Sequence, residues 1–199
     1  LSVLTSLGSS HIISSGPNTP MNNTYAIDCH VHFYPIHSPT FIIKSLISNI
    51  EQLVGNPSYI GLVSLESSLT LTNRELHDAL LRDGATITTL DEFCSVISLP
   101  KCRDVLLFRG QQFSTIERLE IISLLTTDIP YVSQSYNQLI TQISNDGGIP
   151  VLNWAPGKWF GKRGKIATEL CHGGLMLGET LLKPLGYSGH PLIKNCRSK

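Results

Sequence analysis

Strand-like and helix-like segments alternate along most of this chain, and that alternation limits its possible folds more than any other feature. Apolar, β-rich runs occupy residues 24–33, 59–66 and 149–155. Helical patterns that begin near a capping residue and end at glycine occupy residues 38–55, 72–84 and 133–148. Alternation of this kind predicts βα units around a parallel or mostly parallel sheet.

Other segments leave the number of strands open. Two short β-rich runs cover residues 85–90 and 104–110. The segment 114–127 fits a helix and a strand equally well, because its apolar residues occur in adjacent pairs.

Composition favours a small-molecule partner. The chain has 199 residues, enough for one domain with a real core. Its 15 basic and 15 acidic residues cancel, so no net charge attracts it to nucleic acid or to an anionic membrane. We therefore expect neither as a partner.

Cysteine usage and hydropathy predict a cytoplasmic protein. The five cysteines are spread along the chain without a CxxC pair, which argues against a disulfide framework and a zinc ribbon. No apolar run approaches the roughly 20 residues that a membrane span needs. Residues 1–20, rich in Ser, Gly and Pro, are predicted to be a flexible extension before a domain over 21–199.

Two histidines separated by one residue end the first predicted strand. In a regular strand, Asp28, His30 and His32 share one face, so both imidazoles would meet at the strand's carboxyl end. Open and barrel-shaped α/β folds build their sites there. The pair therefore predicts a metal site, with Asp28 as a further ligand or as an acceptor that orients an imidazole. The alternative is a pair of half-buried histidines bonded to backbone carbonyls.

A basic and aromatic segment follows the last clear strand. Trp154, Lys158, Lys162, Arg163 and Lys165 lie within twelve positions of one another. Cations at the same sheet edge as the histidines would suit a phosphate or carboxylate. The alternatives are a solvated loop whose tryptophans cover the end of the sheet and, less in keeping with the neutral chain, a surface that stacks nucleobases.

Four stretches in order, DCHVH, LVSLES, LLFRGQQ and GGIPVLNWAPGK, resemble the polymerase and histidinol phosphatase (PHP) family. The resemblance implies a distorted (β/α)7 barrel and a metal-dependent phosphoesterase. It overlaps with the broader amidohydrolase group, which shares the histidine pair. His30 and His32 match the family's first two metal ligands, and its later ligands would fall near Glu66, on Gln112, and on Asn153 or Trp154.

Departures from the family pattern limit the metal site. Gln112 lacks the charge of the family's glutamate and Asn153 lacks an imidazole, so a trinuclear centre is not expected. The resemblance leaves one or two divalent ions, Zn, Mn or Fe, held by His30, His32 and a carboxylate such as Glu66 or Glu120. The family's last ligands have no counterpart, which predicts a barrel incomplete at its C-terminal end. We expect either further sequence beyond Lys199 or an open sheet protected by dimerisation.

Phosphoester hydrolysis by metal-activated water is the resulting hypothesis, followed by hydrolysis of C–N bonds. A non-catalytic binding protein on a degenerate barrel is the third alternative. Asp28 or Glu66 would complete the site or act as base, and Lys158 would assist catalysis by binding the anionic group. The residues expected to contact the substrate are Arg109, Gln112, Asn153, Trp154, Lys158 and Arg163.

Overall fold

The computed structural model describes residues 24–126, 129–153 and 159–178. Within these residues, eight strands form one sheet and four helices accompany it. The strands are β1 (Tyr25–Val31), β2 (Tyr59–Glu66), β3 (Thr86–Thr89), β4 (Cys94–Ser98), β5 (Val105–Ser114), β6 (Glu120–Leu124), β7 (Ile149–Asn153) and β8 (Met176–Gly178). The helices are α1 (Pro39–Val54), α2 (Asn73–Arg82), α3 (Tyr136–Asn145) and α4 (Lys162–His172). The extension expected over residues 1–20 lies outside the described residues.

Local signals explain where the first two helices begin and end. The Ser38 hydroxyl accepts the N–H of Phe41 before α1, and Gly55 follows α1 with a φ of 83° that favours glycine. Thr72 and Glu75 form a reciprocal capping box at the start of α2. These helices confirm the sequence predictions. The longest described helix has 16 residues, and none of the described helices combines the length and apolar character needed to cross a membrane.

The predicted (β/α)7 barrel is wrong, because the sheet is open and mixed. Strands β1, β2 and β5 run parallel, β6 runs antiparallel to both β5 and β7, and β8 runs parallel to β7. Within the described part of the chain, β1 and β8 each pair with one strand, so the sheet does not close. The physical reason lies in the link from β5 to β6: residues 115–119 are too few for a helical crossover, so β6 must return antiparallel.

Strand β5 pairs with three neighbours. Its first half pairs antiparallel with β4, as at Cys94↔Phe108, and its second half pairs with β6, as at Gly110↔Leu124. Both neighbours occupy the edge opposite β2, so the sheet divides at β5 into two arms. Strand β3 extends the shorter arm by pairing with β4.

Both helix pairs pack on the same face of the sheet. Val105 and Leu107 of β5 join the core cluster that contains α1 and α2, and Phe113 joins the cluster that contains α3 and α4. These three residues share one face because they alternate along the strand. The opposite face carries a smaller apolar cluster contributed by strands: Val63, Leu65, Ile122 and Val151, with Ile27, Cys29, Phe108 and Leu124 packed against it.

A buried glutamine attaches the end of β5 to the segment before α3. Gln111 is 5% exposed, and its Oε1 accepts the backbone N–H of Ile129 at 2.8 Å while its Nε2 donates to the Ile129 carbonyl at 3.2 Å. Both ends of the amide are thus satisfied. This contact fixes the part of β5 that carries the neighbouring Gln112.

Candidate functional site

Five polar side chains lie along one edge of the sheet, on the face without described helices. They share this edge because β1, β5 and β7 run in one direction and end there, while the antiparallel β6 begins there. We call them the strand-end cluster: His30, His32, Gln112, Glu120 and Asn153. The sequence predicted each of these residues as part of the site, and the structure brings them to one region.

A β-bulge in β1 directs the histidines to this face. Asp28 pairs with Leu62 but Val31 pairs with Ser64, so β1 holds one more residue than β2 over this interval. Val31 consequently packs with the helix-side core, and the histidine rings lie on the other face. The expectation that Asp28 shares a face with both histidines is therefore not met. Asp28 is 3% exposed, and its Oδ1 accepts the backbone N–H of His30 at 3.0 Å, within the bulge.

The two imidazoles converge at their Nε2 atoms. These atoms are 3.2 Å apart, and the ring planes meet at 75°. His32 Nδ1 lies 3.1 Å from the carbonyl oxygen of Leu65. Because that oxygen can only accept, Nδ1 carries the hydrogen, and the Nε2 of a neutral His32 presents its lone pair to the cluster.

Burial keeps the ring of His30 neutral. Burial is the main cause that lowers the pKa of His30, and the neighbouring His32 lowers it further, while the carboxylates of Asp28 and Glu120 oppose the shift. Beside it, burial and then the charge of Asp28 raise the pKa of Cys29 to about 11. The site thus offers a neutral imidazole at His30 and a thiol that stays protonated at neutral pH.

The contact between Gln112 and His32 needs a hydrogen or a positive charge between its two atoms. Gln112 Oε1 lies 3.0 Å from His32 Nε2, so two acceptor atoms face each other when Nδ1 carries the hydrogen. Three arrangements satisfy the contact: a second proton on His32, a rotated amide that donates, or a cation held between them. The cation is the arrangement that also uses the lone pair of the nearby His30.

The spacing of the two nitrogens suits a shared metal ion. Two imidazole nitrogens about 2.0–2.1 Å from one tetrahedral Zn²⁺ stand roughly 3.3–3.4 Å apart, close to the observed 3.2 Å. However, no group of three or more His, Cys, Asp or Glu side chains in residues 24–126, 129–153 and 159–178 is arranged to hold a metal. A third ligand from this cluster would have to be the amide oxygen of Gln112.

Glu120 and Asn153 form a second part of the cluster. Asn153 is 5% exposed, and its Nδ2 donates to Glu120 Oε2 at 3.0 Å. Since a carboxylate only accepts, this contact determines which way the amide faces. The glutamate is therefore held in place by a buried donor.

Two other predicted residues lie on the helix side of the sheet. Glu66 Oε1 accepts the backbone N–H of Asn73 at 2.5 Å, at the start of α2. Glu66 and Arg109 line a hollow of about 610 Å³ together with His77. The structure does not bring Glu66 or Arg109 into the strand-end cluster.

The basic segment is only partly described. Arg163 is half-buried in the first turn of α4, whereas Trp154 and Lys158 lie outside the described residues.

Sequence reasoning missed two groups beside the histidines. The ring of Tyr34, 41% exposed, lies 5.9 Å from that of His32, and the carbonyl of Leu65 orients His32. The position of Tyr34, two residues after His32, could have indicated its ring. Nothing in the sequence indicates the contact of the Leu65 carbonyl.

No family model, curated protein or solved structure matches this chain. The resemblance to the PHP family stays a prediction based on the stretches that suggested it. Function is therefore inferred from the geometry of the strand-end cluster.

Proposed function

We propose that the strand-end cluster binds a divalent metal ion and that this chain is a metal-dependent hydrolase of phosphate esters. The observation that carries the proposal is the 3.2 Å separation of the Nε2 atoms of His30 and His32, with the outer nitrogen of His32 bonded to a carbonyl. A carbonyl acceptor on the outer nitrogen of a histidine is the usual support for a metal ligand.

The residues that would hold the ion are His30, His32 and Gln112. Two imidazole nitrogens favour Zn²⁺, Fe²⁺ or Mn²⁺ over ions that prefer an all-oxygen site. Such an ion supplies Lewis acidity and a bound water whose pKa lies near neutrality. The chain itself contributes preorganisation, because burial keeps His30 unprotonated and Leu65 holds His32 in the right tautomer.

The position of α4 supports an anionic substrate. Because β7 and β8 run parallel and α4 connects them, α4 begins at the edge of the sheet where the cluster lies. Its first turn carries Lys162 and Arg163 and no acidic residue. Positive side chains beside the positive end of a helix dipole are unfavourable unless an anion is nearby. A phosphoester fits this arrangement better than a neutral amide does.

A second candidate is a non-catalytic protein that binds an anionic small molecule. The observation that favours it is the chemistry of the cluster, where Gln112 and Asn153 provide neutral amides and the described residues offer no third charged ligand. In that case the histidine pair would bind the ligand through hydrogen bonds.

Metal content tests the proposal directly. Protein purified without a histidine tag is analysed by plasma mass spectrometry, beside the double variant His30→Ala/His32→Ala. His37→Ala, which removes an exposed histidine outside the cluster, is the matched control. We expect about one ion per chain in the wild type and in the control, and none in the double variant. Absence of metal from the wild type after incubation with excess Zn²⁺, Mn²⁺ or Fe²⁺ would contradict the proposal.

Turnover separates the two candidates. The metal-loaded protein is assayed with p-nitrophenyl phosphate, bis(p-nitrophenyl) phosphate and p-nitroacetanilide. Cleavage of a phosphate ester that is lost in the double variant supports the hydrolase. Cleavage of the anilide alone would move the chemistry to C–N bonds. Metal binding without any turnover would favour the binding protein.

A further inference from the structure

We propose that the hollow between α2 and the sheet binds the oxyanion group of a small molecule, a phosphate or a carboxylate, through Arg74 and Arg109. The hollow has a volume of about 610 Å³. We call it the helix-side hollow, because it lies on the face of the sheet opposite to the strand-end cluster. Binding there would not involve the proposed metal ion. The side chains that line the hollow include Glu66, Arg74, His77, Asp78, Leu81 and Arg109.

Strand β5 brings a guanidinium to this hollow from the helix side of the sheet. Leu107 precedes Arg109 by two residues and packs with α1 and α2, whereas Phe113 follows it and packs with α3 and α4. Because side chains alternate along a strand, Arg109 projects from the same face as both. A charged side chain seldom occupies a position between two core clusters unless polar groups meet it. The sheet therefore provides a polar floor beside α2.

One face of α2 forms the facing wall of the hollow. Arg74, His77, Asp78 and Leu81 recur at the i, i+3, i+4 and i+7 spacing of one helical face. The buried residues of the helix are two leucines outside this set, which pack into the core. The core contacts thus hold α2 in place while its polar face stays available. Leu81, 53% exposed, offers an apolar surface to the carbon part of a ligand.

The charges around His77 favour an anion over a cation. Burial is the main cause that lowers the pKa of His77, and the charge of Arg109 lowers it further. The opposing effect of Asp78 is smaller than that of Arg109. Glu66, the other carboxylate in the lining, accepts the backbone N–H of Asn73 at the start of α2. An oxyanion beside the imidazole would therefore gain more from the guanidinium than it loses to Asp78.

Arginine chemistry identifies the class of ligand. A planar guanidinium carries five N–H donors in a fixed fork, which matches two oxygens of a phosphate or a carboxylate. Several donors allow one guanidinium to keep a partner within the protein and still bind a ligand. Arg74 and Arg109 come from opposite walls, so an oxyanion in the hollow would meet one arginine on each side. The volume of the hollow also falls within the range of about 300–1,000 Å³ that is typical of small-molecule sites.

Calorimetric titration with inorganic phosphate and, separately, with succinate tests binding and distinguishes the two sources of the oxyanion. The protein is stripped of metal and dialysed free of chelator beforehand. We expect saturable binding of at least one anion. Arg74→Gln and Arg109→Gln should each weaken it by about 10–100-fold, because each removes hydrogen bonds between charged groups.

Arg82→Gln is the matched control, since it removes the same charge from the last turn of the same helix, outside the hollow. It should bind within about twofold of the wild type, because exposed charges at a distance are screened. Circular dichroism verifies that each variant is folded. Arg74 is exposed on α2, so its variant decides the test even if Arg109→Gln does not fold.

Nuclear magnetic resonance of the histidine rings locates the bound anion. We expect the ring signals of His77 to shift on titration and those of His30 and His32 to stay unchanged. Shifts confined to His30 and His32 would place the anion at the strand-end cluster and overturn the inference. Titrations that show no saturable heat with either anion at millimolar concentrations would overturn it as well, as would wild-type affinity in either folded arginine variant. None of these results bears on the metal content of the protein, which tests the proposed function by itself.

Discussion

Replacing Gln111 by methionine should destabilise the fold by about 2–4 kcal/mol, because it removes the partners of two buried backbone groups. Ile129 is 2% exposed, and both its N–H and its carbonyl bond to the amide of Gln111, at 2.8 and 3.2 Å. Methionine has a similar shape but no polar end to meet them. Each unsatisfied group costs about 1–3 kcal/mol, and the larger apolar side chain offsets roughly 1 kcal/mol of the sum.

Urea denaturation followed by circular dichroism measures this free energy of unfolding. A loss of about 3 kcal/mol would also lower Tm by roughly 6–12 °C in a chain of this size. The matched control is Gln52→Met on the exposed side of α1, where the amide makes one long bond of 3.4 Å to Ser48. That change should stay within about 0.5 kcal/mol. If Gln111→Met were as stable as this control, the structural role assigned to the amide would be refuted.

Three other outcomes concern single side chains. Gly110→Ala should lower the free energy of unfolding by about 1–3 kcal/mol, measured by urea denaturation, because the added Cβ would lie 2.8 Å from a packed leucine side chain. Gly61→Ala should lower it less, since the nearest atoms there are 3.1 Å away. The reverse order of the two variants would contradict this packing. Cys29 should resist iodoacetamide at pH 8, since burial raises its pKa to about 11, and peptide mapping should detect alkylation only as the pH approaches that value. Burial and then the charge of Arg109 lower the pKa of His77 in the folded protein. As the pH falls below the usual value of about 6.5, the unfolded chain therefore binds a proton more readily than the folded chain does, and the free energy of unfolding decreases. His77→Asn should reduce the decrease in the free energy of unfolding between pH 7 and 5. The same decrease in the variant and in the wild type would contradict this role of His77.

Elements with strong local signals could be predicted from the sequence. The second strand was predicted over residues 59–66 and β2 has these limits, because a continuous apolar run lies between turn residues. Helix α1 follows from Ser38 and Gly55 at its ends. The histidine pair could be located at the end of β1 for the same reason, since the apolar pattern of the strand stops there.

Features that depend on distant contacts could not be predicted. Strand β4 is a run of only five residues, CSVIS, too short to distinguish from a loop. The ambiguous segment 114–127 contains β6, and pairing with β5 and β7 decides its conformation. That outcome replaced an expected βα unit by a hairpin, which is why the barrel prediction failed. Within the bulge in β1, the carboxylate of Asp28 accepts the backbone N–H of His30, and no residue pattern predicts this contact.

The bulge in β1, together with the residues of the motif, decides on which face of the sheet the histidines lie. Regular pairing of β1 with β2, with no residue removed, would shift the register by one after Asp28 and exchange the faces of every residue after it. His32 would then point toward the helices, and Val31 would point to the opposite face, although the residues of the motif would be the same. A homologous sequence can thus keep its histidines and lose the site, so reading frame along the strand, rather than residue identity, is the character to follow when this cluster is traced through evolution.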